Sequence, residues 1–179
     1  MANDPQLIVF AGTLGTGKTS LARAVARRLP AVYLDKDTIK ECTLSLVERM
    51  KLDQARQLAG PLSYELLVDL ARDNLSLGWS VVLDSPAGYQ LFRERVRGLA
   101  RSAKVELRLI ECICTDERLL RQRVENRALD LPAHRTRDWA TYQDEAARFE
   151  HLTDRRLVVD TAESLSLNVQ KVLAYLGHS

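Results

Sequence analysis

The stretch that decides the fold of this chain is Gly12-Thr13-Leu14-Gly15-Thr16-Gly17-Lys18-Thr19. It fits the pattern G-x-x-x-x-G-K-[ST], in which the glycines let the backbone turn so that successive N–H groups point inward. The apolar stretch 7–11 before it predicts a buried parallel strand. The stretch 18–29 after it has apolar residues at helical spacing and predicts a helix. Strand, glycine-rich loop and helix start together predict a cradle for phosphate groups.

The polar groups of this cradle suit a nucleoside triphosphate. The helix N-terminus adds partial positive charge, and Lys18 is expected to reach the β- and γ-phosphates. The Thr19 hydroxyl can ligate Mg²⁺, and Ser20 follows it in the first turn of the helix. The alternative is a glycine-rich turn that matches the pattern by chance, and the flanking strand and helix argue against it. We therefore predict nucleotide binding by residues 12–20.

Size and composition indicate one domain spanning residues 1–179. A chain of 179 residues buries roughly two thirds of its unfolded surface, and an apolar content of 46% is ordinary. The net charge of +2 gives no reason to expect general affinity for nucleic acid or membranes. Without a signal-peptide pattern or an apolar run of membrane-spanning length, we expect a cytoplasmic protein. The three cysteines are expected to be reduced and to behave as small hydrophobic residues.

The rest of the chain alternates short apolar runs with amphipathic stretches. Four more strands are predicted, at 31–34, 81–83, 105–114 and 157–159. Helices are predicted from about 38, where Thr38 and Glu41 have capping-box spacing, and at 61–78, 89–101, 115–126, 138–149 and 165–176. This alternation predicts a three-layer α/β fold with a five-stranded parallel sheet and helices on both faces. In such sheets, ligands bind beyond the C-terminal ends of the strands.

Carboxylates fall at two of these predicted strand ends. Asp35 and Asp37 follow the second strand, and one of them, with Asp37 favoured, is predicted to take the proton of an acceptor hydroxyl in phosphoryl transfer. The alternative for Asp37 is a helix cap. Asp84 closes the third strand and is predicted to hold Mg²⁺ through water or to contact the acceptor. Its alternative is a turn-forming aspartate ahead of Ser85.

Arginines crowd the segment between the fourth and fifth strands. They are Arg118, Arg121, Arg123, Arg127, Arg135 and Arg137. Arg123 and Arg127 are four residues apart and therefore share one helix face. Because the segment also contains a Leu-Pro break, we predict a short helical lid over roughly 118–140 that closes on the phosphates. The alternative is a charged helix face in solvent. The loop 160–162 could offer backbone groups to an adenine ring.

Together these segments resemble the P-loop kinase family, in the AAA_33 branch that contains zeta-toxin-like, gluconate-kinase-like and polynucleotide 5′-hydroxyl kinase domains. The resemblance runs from Gln6 to Leu176. The segment Leu34-Asp35-Lys36-Asp37-Thr38-Ile39-Lys40-Glu41 is similar to a family segment in which an aspartate ends a strand and a basic residue follows three positions on. The resemblance implies that Asp37 is the general base and that Lys40 contacts the acceptor, although arginine is commoner at that position.

Two further segments carry the resemblance. Arg123-Val124-Glu125-Asn126-Arg127 looks like the lid signature R-x-x-x-R, which implies that Arg123 and Arg127 contact the nucleotide phosphates. Val82-Leu83-Asp84-Ser85-Pro86 resembles the third strand and the substrate-facing loop after it. This implies that Asp84 and Ser85 face the acceptor.

The resemblance implies a kinase that uses ATP and Mg²⁺ to phosphorylate a hydroxyl of a small metabolite. Acceptors in the family range from sugars to antibiotics to nucleic acid ends, so the acceptor stays open. A polynucleotide 5′-hydroxyl kinase is one alternative, although the near-neutral charge and the 6% aromatic content argue against it. The other is an ATP-hydrolysing switch module, which needs a positioned water rather than residues such as Asp37 and Lys40 placed for an organic acceptor.

Overall fold

The computed structural model describes residues 4–129, 138–150 and 152–178. Strands and helices alternate along these ranges. The strands are β1 (Gln6–Ala11), β2 (Ala31–Asp35), β3 (Ser80–Asp84), β4 (Glu106–Ile113) and β5 (Leu157–Asp160). The helices are α1 (Lys18–Ala26), α2 (Lys36–Arg49), α3 (Ala59–Ser76), α4 (Gln90–Ala103), α5 (Glu117–Leu129), α6 (Trp139–Ala147) and α7 (Leu165–Tyr175), with a 3₁₀ helix at Asp53–Leu58.

The five strands form one parallel sheet in the order β2-β3-β1-β4-β5, which confirms the predicted fold. β1 lies at the centre and leads into the glycine-rich loop at its C-terminal end. In the register of the sheet, Asp84 of β3 lies opposite Phe10 on one side and Asp35 on the other. The sheet therefore brings the glycine-rich loop, Asp84 and Asp35 to the same edge.

Alternate residues of β1 supply the cores on the two faces of the sheet. Leu7 and Val9 pack with apolar residues of α3 and α4, whereas Ile8 and Phe10 pack with residues of α1 and α7. Side chains of a strand point to opposite faces in turn, so a central strand covered on both faces must be apolar throughout. Burying each such side chain contributes about 1.5–3 kcal/mol, and this holds β1 firmly under the loop.

Helix α2 begins earlier than the capping-box spacing predicts. Its N-cap is Asp35, whose side chain accepts a hydrogen bond from the Asp37 N–H, so the prediction of a start at Thr38 was wrong. Asp35 is already the last residue of β2, and its short acceptor side chain allows the chain to enter the helix directly. The strand end and the helix start are therefore joined without a loop, which places the first turn of α2 beside β3.

Helix α3 ends as predicted but buries a different stripe. Leu77 is its C-cap and Gly78 follows with a φ of 84°, a conformation that glycine adopts without strain. The apolar spacing within 61–78 predicts a buried stripe made of Leu66, Leu67, Leu70, Ala71 and Leu75. Of these, Leu67, Ala71 and Leu75 are buried, whereas Leu66 and Leu70 are exposed. Val68 is buried in their place, because the sheet covers a face rotated slightly from the one that the leucines suggest.

Cys112 is buried in the sheet, and burial raises the pKa of its thiol to about 12, so it stays protonated. Cys114 is half-buried, and all three cysteines are free thiols. Cys42 is exposed, so the expectation that the cysteines behave as small hydrophobic residues does not fit this position. No helix in the described ranges is both long and apolar enough to cross a membrane.

Candidate active site

The glycine-rich loop turns sharply at the C-terminal edge of the sheet. Gly12 has a φ of 144°, and its N–H donates to the Pro86 carbonyl oxygen at 3.1 Å. A Cβ on Gly12 would lie 2.5 Å from the Cys112 carbonyl oxygen, so only glycine allows this close approach of two backbones. Gly17 is the N-cap of α1 and provides no side-chain cap for the first N–H groups of the helix. Such a helix start is an anion-binding site, and it fits the predicted phosphates.

The predicted nucleotide-binding residues 12–20 are all brought into this one turn. The Thr16 hydroxyl donates to the Thr13 carbonyl oxygen at 2.8 Å and ties the two halves of the loop together. Leu14, Gly15 and Thr19 are half-buried, and Ser20 is exposed. The loop therefore has the backbone form that a triphosphate needs, and its individual contacts with a nucleotide stay predictions.

Lys18 and Asp84 form a buried ion pair at the floor of the loop. The Lys18 Nζ donates to Asp84 Oδ1, and the Tyr33 hydroxyl donates to the other oxygen, Oδ2, at 2.7 Å. The Asp84 side chain has no exposure at all. Burial, followed by the Asp84 charge, raises the pKa of the Tyr33 hydroxyl, so the tyrosine remains a hydrogen-bond donor. A carboxylate without such partners would be costly to keep in this position.

The ion pair continues into a network along the ends of β2 and β3. The Arg23 Nε–H of α1 donates to the Tyr33 hydroxyl oxygen at 3.3 Å, and its Nη2 donates to Asp35 Oδ2 at 3.2 Å. Asp35 also accepts hydrogen bonds from the Asp37 N–H at 2.9 Å and from the Thr38 hydroxyl at 3.2 Å. The role of Asp35 in this structure is thus to cap α2 and to join it to α1. Its contact with an acceptor stays a prediction.

Asp37 lies in the first turn of α2, and it is not the cap. Its side chain is 47% exposed, and Oδ1 lies 3.4 Å from the Nζ of Lys36. Asp35 lies opposite Asp84 in the register of the sheet. Asp37 comes two residues later in the chain than this point, at which β2 faces the buried Lys18–Asp84 pair. The alternative reading of Asp37 as the cap of the predicted helix was therefore wrong. The Asp37 carboxylate is thus about half exposed at the start of α2, and its role as general base stays a prediction.

The other two predicted acceptor residues have different surroundings. Lys40 is half-buried on α2, and its ammonium forms no ion pair with another described residue. Ser85 is completely buried and lies directly after β3. Its hydroxyl oxygen accepts from the Ala87 N–H at 3.3 Å. Ser85 thus supports the loop in this structure, and direct contact with an acceptor stays a prediction.

Helix α5, the N-terminal part of the predicted lid, packs directly on the glycine-rich loop. Leu120 and Val124 of α5 are buried, and a Cβ on Gly15 would lie 2.9 Å from Leu120 Cδ1 and 2.8 Å from Val124 Cγ2. Gly15 has a φ of 79°, so this position requires glycine both for its backbone conformation and because no side chain would fit. The apolar face of α5 therefore covers the tip of the loop, which explains why this highly charged helix lies against the domain.

Arg123 extends from the same helix to the segment after β5. Its Nη1 donates to the Thr161 hydroxyl and its Nη2 donates to the Thr161 carbonyl oxygen, both at 2.9 Å. Thr161 is buried, and its hydroxyl lies 2.8 Å from the Thr16 carbonyl oxygen of the loop. Thr161 therefore links the glycine-rich loop to the lid arginine. This is a side-chain role in a segment where the sequence suggested only backbone contacts.

The other lid arginines divide between the surface and the undescribed part of the chain. Arg118 and Arg121 are exposed, and Arg121 pairs with Glu125 at 2.8 Å. The Arg127 side chain and the whole of 130–137, including Arg135 and Arg137, lie outside the described residues. For Arg121, the reading as a solvent-facing charge fits better than a role at the phosphates.

The described residues include no group of three or more His, Cys, Asp or Glu side chains that could hold a metal ion. Mg²⁺ is commonly held by one or two protein groups together with substrate phosphates, so a site of that kind would not need such a group. Thr19 lies at the start of α1, and both Asp84 oxygens accept hydrogen bonds from Lys18 and Tyr33. Magnesium binding by Thr19 and Asp84 stays a prediction.

Sequence reasoning missed four side chains in this region. Tyr33 supports Asp84, Lys36 pairs with Asp37, the Tyr64 ring faces the Lys36 ammonium, and Thr161 holds Arg123. Tyr33 and Asp84 are 51 positions apart, and Arg123 and Thr161 are 38 apart. No short-range spacing of residues in the sequence predicts such pairs. The one available signal was the adjacency of Lys36 to Asp37, because a lysine next to a candidate base is a charge partner.

Comparison with known proteins places the chain among P-loop domains. The family model AAA_33, described as an AAA domain, matches residues 7–152. No curated protein matches the sequence closely enough to count as a relative. A candidate kinase from Chloroflexus aurantiacus j-10-fl is 26% identical, with a TM-score of 0.76 over 99% of this chain and 98% of that one.

Two other solved structures share the fold. The Mycobacterium tuberculosis APS kinase CysC, in complex with AMPPNP and APS, is 17% identical, with a TM-score of 0.70 over 98% of this chain and 99% of that one. A gluconokinase from Sinorhizobium meliloti 1021 is 20% identical, with a TM-score of 0.66 over 98% and 94%. At these identities the likeness shows the fold alone. The family match covers most of the chain, and the chain therefore belongs to the AAA_33 family of P-loop domains.

Proposed function

We propose that this protein is a kinase that transfers the γ-phosphate of ATP to a hydroxyl group of a small metabolite. The observation that carries the proposal is the position of the Asp37 carboxylate. The carboxylate is half-exposed, and the cap of α2 is Asp35 instead. Asp37 comes two residues after Asp35, which pairs in the sheet with Asp84 of the buried Lys18–Asp84 pair. A half-exposed carboxylate that follows this strand end suits an organic acceptor.

Phosphoryl transfer asks the protein mainly to position two reactants and to balance charge. The backbone of residues 12–17 and the N-terminus of α1 would hold the triphosphate. Lys18 would move from Asp84 towards the phosphates, since the Lys18 side chain is 10% exposed and both groups border the loop. Asp37 would take the proton of the acceptor hydroxyl.

The remaining predicted residues have supporting parts in this proposal. Thr19, with Asp84 acting through water, would hold Mg²⁺, which offsets the phosphate charge when bound. Lys40 would contact the acceptor, and Arg123 and Arg127 would stabilise the charge that spreads over the phosphates. We also propose that the chain is a single domain and that residues 118–140 act as its lid. The direct packing of α5 on Gly15 supports this second proposal.

The solved structures named above support the choice of acceptor class. One was determined with AMPPNP and APS, and another is a gluconokinase, so the same fold serves kinases with small acceptors.

The test is a search for the labelled product. Purified protein is incubated with γ-labelled ATP and Mg²⁺, with fractionated small metabolites in one series and with 5′-hydroxyl oligonucleotides in another. We expect ATP turnover near zero without an acceptor and label transfer to a metabolite in at least one fraction. Strong turnover without any acceptor would favour the hydrolysing switch, and label on oligonucleotides alone would favour the polynucleotide kinase. Either result would overturn the proposal.

A further inference from the structure

Lys36 is an unusual residue because its charged side chain is buried. Only 7% of the residue is exposed, although it is the first residue of α2 and lies beside the proposed acceptor site. Its Nζ lies 3.4 Å from Asp37 Oδ1 and 5.1 Å from the centre of the Tyr64 ring. Removing an ammonium group from water is costly, and the positive end of the helix dipole adds to the cost at this position. The pairing with Asp37 and the Tyr64 ring face offset this cost.

The Tyr64 ring gives Lys36 a rigid support. Tyr64 packs against the core on the α3 and α4 side of the sheet, and its ring meets those of Tyr89 and Phe92 at centroid distances of 5.7 Å and 4.8 Å. Burial is the main cause that raises the pKa of the Tyr64 hydroxyl, and Tyr89 and then Asp37 add to it. Tyr64 is therefore neutral across the physiological range. The ammonium of Lys36 lies over a fixed, uncharged ring.

Three elements of the described chain place charged or titratable groups near this pair. On its own segment, the Asp35 carboxylate accepts from the Asp37 N–H, and Lys40 and Glu41 lie one turn further along α2. From β3, Asp84 faces Asp35, and it is neutralised by Lys18. From α3 and the start of α4, the titratable groups are the hydroxyls of Tyr64 and Tyr89. Lys36 is the buried cation of this set that directly contacts the Asp37 carboxylate.

We propose that Lys36 is a positioning residue for the phosphotransfer: it keeps the Asp37 carboxylate ionised and holds it in one orientation. This inference rests on the proposed function, in which Asp37 receives the proton of the acceptor hydroxyl. In that step the acceptor O–H bond breaks and its proton passes to an Asp37 oxygen. The acceptor oxygen then bonds to the γ-phosphorus as the bond to the bridging oxygen of ADP breaks. Lys36 keeps its proton throughout, and its charge stabilises Asp37 before the proton arrives.

The first test replaces Lys36 by methionine, which keeps the length of the side chain and removes the charge. We expect kcat to fall about tenfold, because a loosely held base loses the geometry of the reaction. The KM for ATP should stay within about twofold, because the triphosphate is held by residues 12–20 in the proposed function and Lys36 is not one of them. Removing a neighbouring cation raises the pKa of a carboxyl group, so the acid limb of the pH–rate profile should move up by about one pH unit. Lys36→Arg should restore most of kcat.

A double variant separates positioning from a merely structural role. If Lys36 acts through Asp37, the Lys36→Met, Asp37→Asn variant should be no slower than Asp37→Asn alone, within about twofold. A structural role would add its own loss to that of Asp37→Asn. The matched control is Arg49→Met, which removes one positive charge from the exposed C-terminal turn of the same helix. It should leave kcat and the pH profile unchanged.

The pKa of Asp37 can also be read without turnover, by carbon NMR of labelled side-chain carboxyl groups. We expect a higher Asp37 pKa in Lys36→Met than in the wild type and in Arg49→Met. An unchanged pKa, or an additive loss in the double variant, would overturn the inference, and Lys36→Gln gives the same comparison if the methionine variant fails to fold. Failure of the wild type to phosphorylate any metabolite would instead overturn the proposed function, so the two failures are distinct.

Discussion

Lys18 and Asp84 form an ion pair beneath the glycine-rich loop, although 66 positions separate them in the sequence. The pair is buried, and Tyr33 completes the hydrogen bonding of the carboxylate. Each charge depends on the other for its place in the protein, because an unpaired buried charge is costly. The loop that binds phosphate in the proposed function therefore also stabilises the folded domain.

We expect Lys18→Ala to abolish ATP-dependent transfer and to lower the free energy of unfolding by about 3–5 kcal/mol, because it leaves Asp84 buried and unpaired. Calorimetry with Mg·ATP and urea denaturation measure the two effects. The double variant Lys18→Met, Asp84→Asn should regain much of the stability and none of the activity. Lys171→Ala, which breaks an exposed pair with Glu163, should change stability by less than about 1 kcal/mol. A fully stable Lys18→Ala variant would contradict the structural reading of the pair.

Asp37→Asn should reduce the transfer rate by roughly 10²–10⁴, the usual contribution of a general base, and leave ATP affinity nearly unchanged. The physical reason is that Asp35, not Asp37, caps α2, so the helix is kept in the variant. Single-turnover kinetics and calorimetry give the two quantities. The control is Asp69→Asn on the exposed face of α3, which should be as active as the wild type. Equal losses of binding and transfer in Asp37→Asn would show a structural role.

Thr161→Val should weaken nucleotide binding and destabilise the domain by about 1–3 kcal/mol. Valine has nearly the same shape, but the substitution removes the hydroxyl that contacts the Arg123 guanidinium and lies 2.8 Å from the Thr16 carbonyl oxygen. Buried polar groups left without a partner lose free energy of this order. Thermal denaturation with and without Mg·ATP measures both effects. Thr161→Ser, which keeps the hydroxyl, should lie close to the wild type, and equal behaviour of the two variants would contradict the proposed link.

Gly15→Ala should destabilise the domain by about 1–2 kcal/mol or more, because alanine at a φ of 79° is strained and its Cβ would meet Leu120 and Val124. It should also lower ATP affinity, since the new methyl group separates α5 from the loop. Gly98→Ala is the matched control within α4, where nothing lies within 4 Å, and it should stabilise the protein by up to about 1 kcal/mol. Urea denaturation compares the two, and a neutral Gly15→Ala would contradict the packing described.

The Asp160 carboxylate makes stability depend on acid pH. A hydrogen bond from the Thr115 hydroxyl, followed by the Ala162 N–H, lowers the pKa of Asp160 below its ordinary value. A lowered pKa in the folded state means that stability is present above the unfolded pKa, about 4, and is lost as pH falls below it. We expect the denaturation midpoint to fall less steeply below pH 4 in Asp160→Asn than in the wild type. If the denaturation midpoint fell equally steeply with pH in both proteins, Asp160 would make no such contribution to stability.

Much of the fold was predictable because local patterns report it. The apolar runs, the glycine-rich loop and the alternation of strands with helices matched the structure, since strand and helix burial follow periods that a short window contains. The predicted start of α2 was wrong. Thr38 and Glu41 have the spacing of a capping box, but Asp35 at the end of β2 is the actual cap. Local signals compete at such positions, and the direction of the incoming strand decides between them.

The sequence alone determined the phosphate cradle, because the glycines, Lys18 and Thr19 are contiguous and one short window contains the whole pattern. Only the tertiary structure decided what surrounds them: Tyr33 against Asp84, Thr161 against Arg123, and Lys36 over Tyr64. The reason is physical. Residues far apart in the chain meet through the register of strands and the packing of helices, and neither leaves a periodic trace in the sequence.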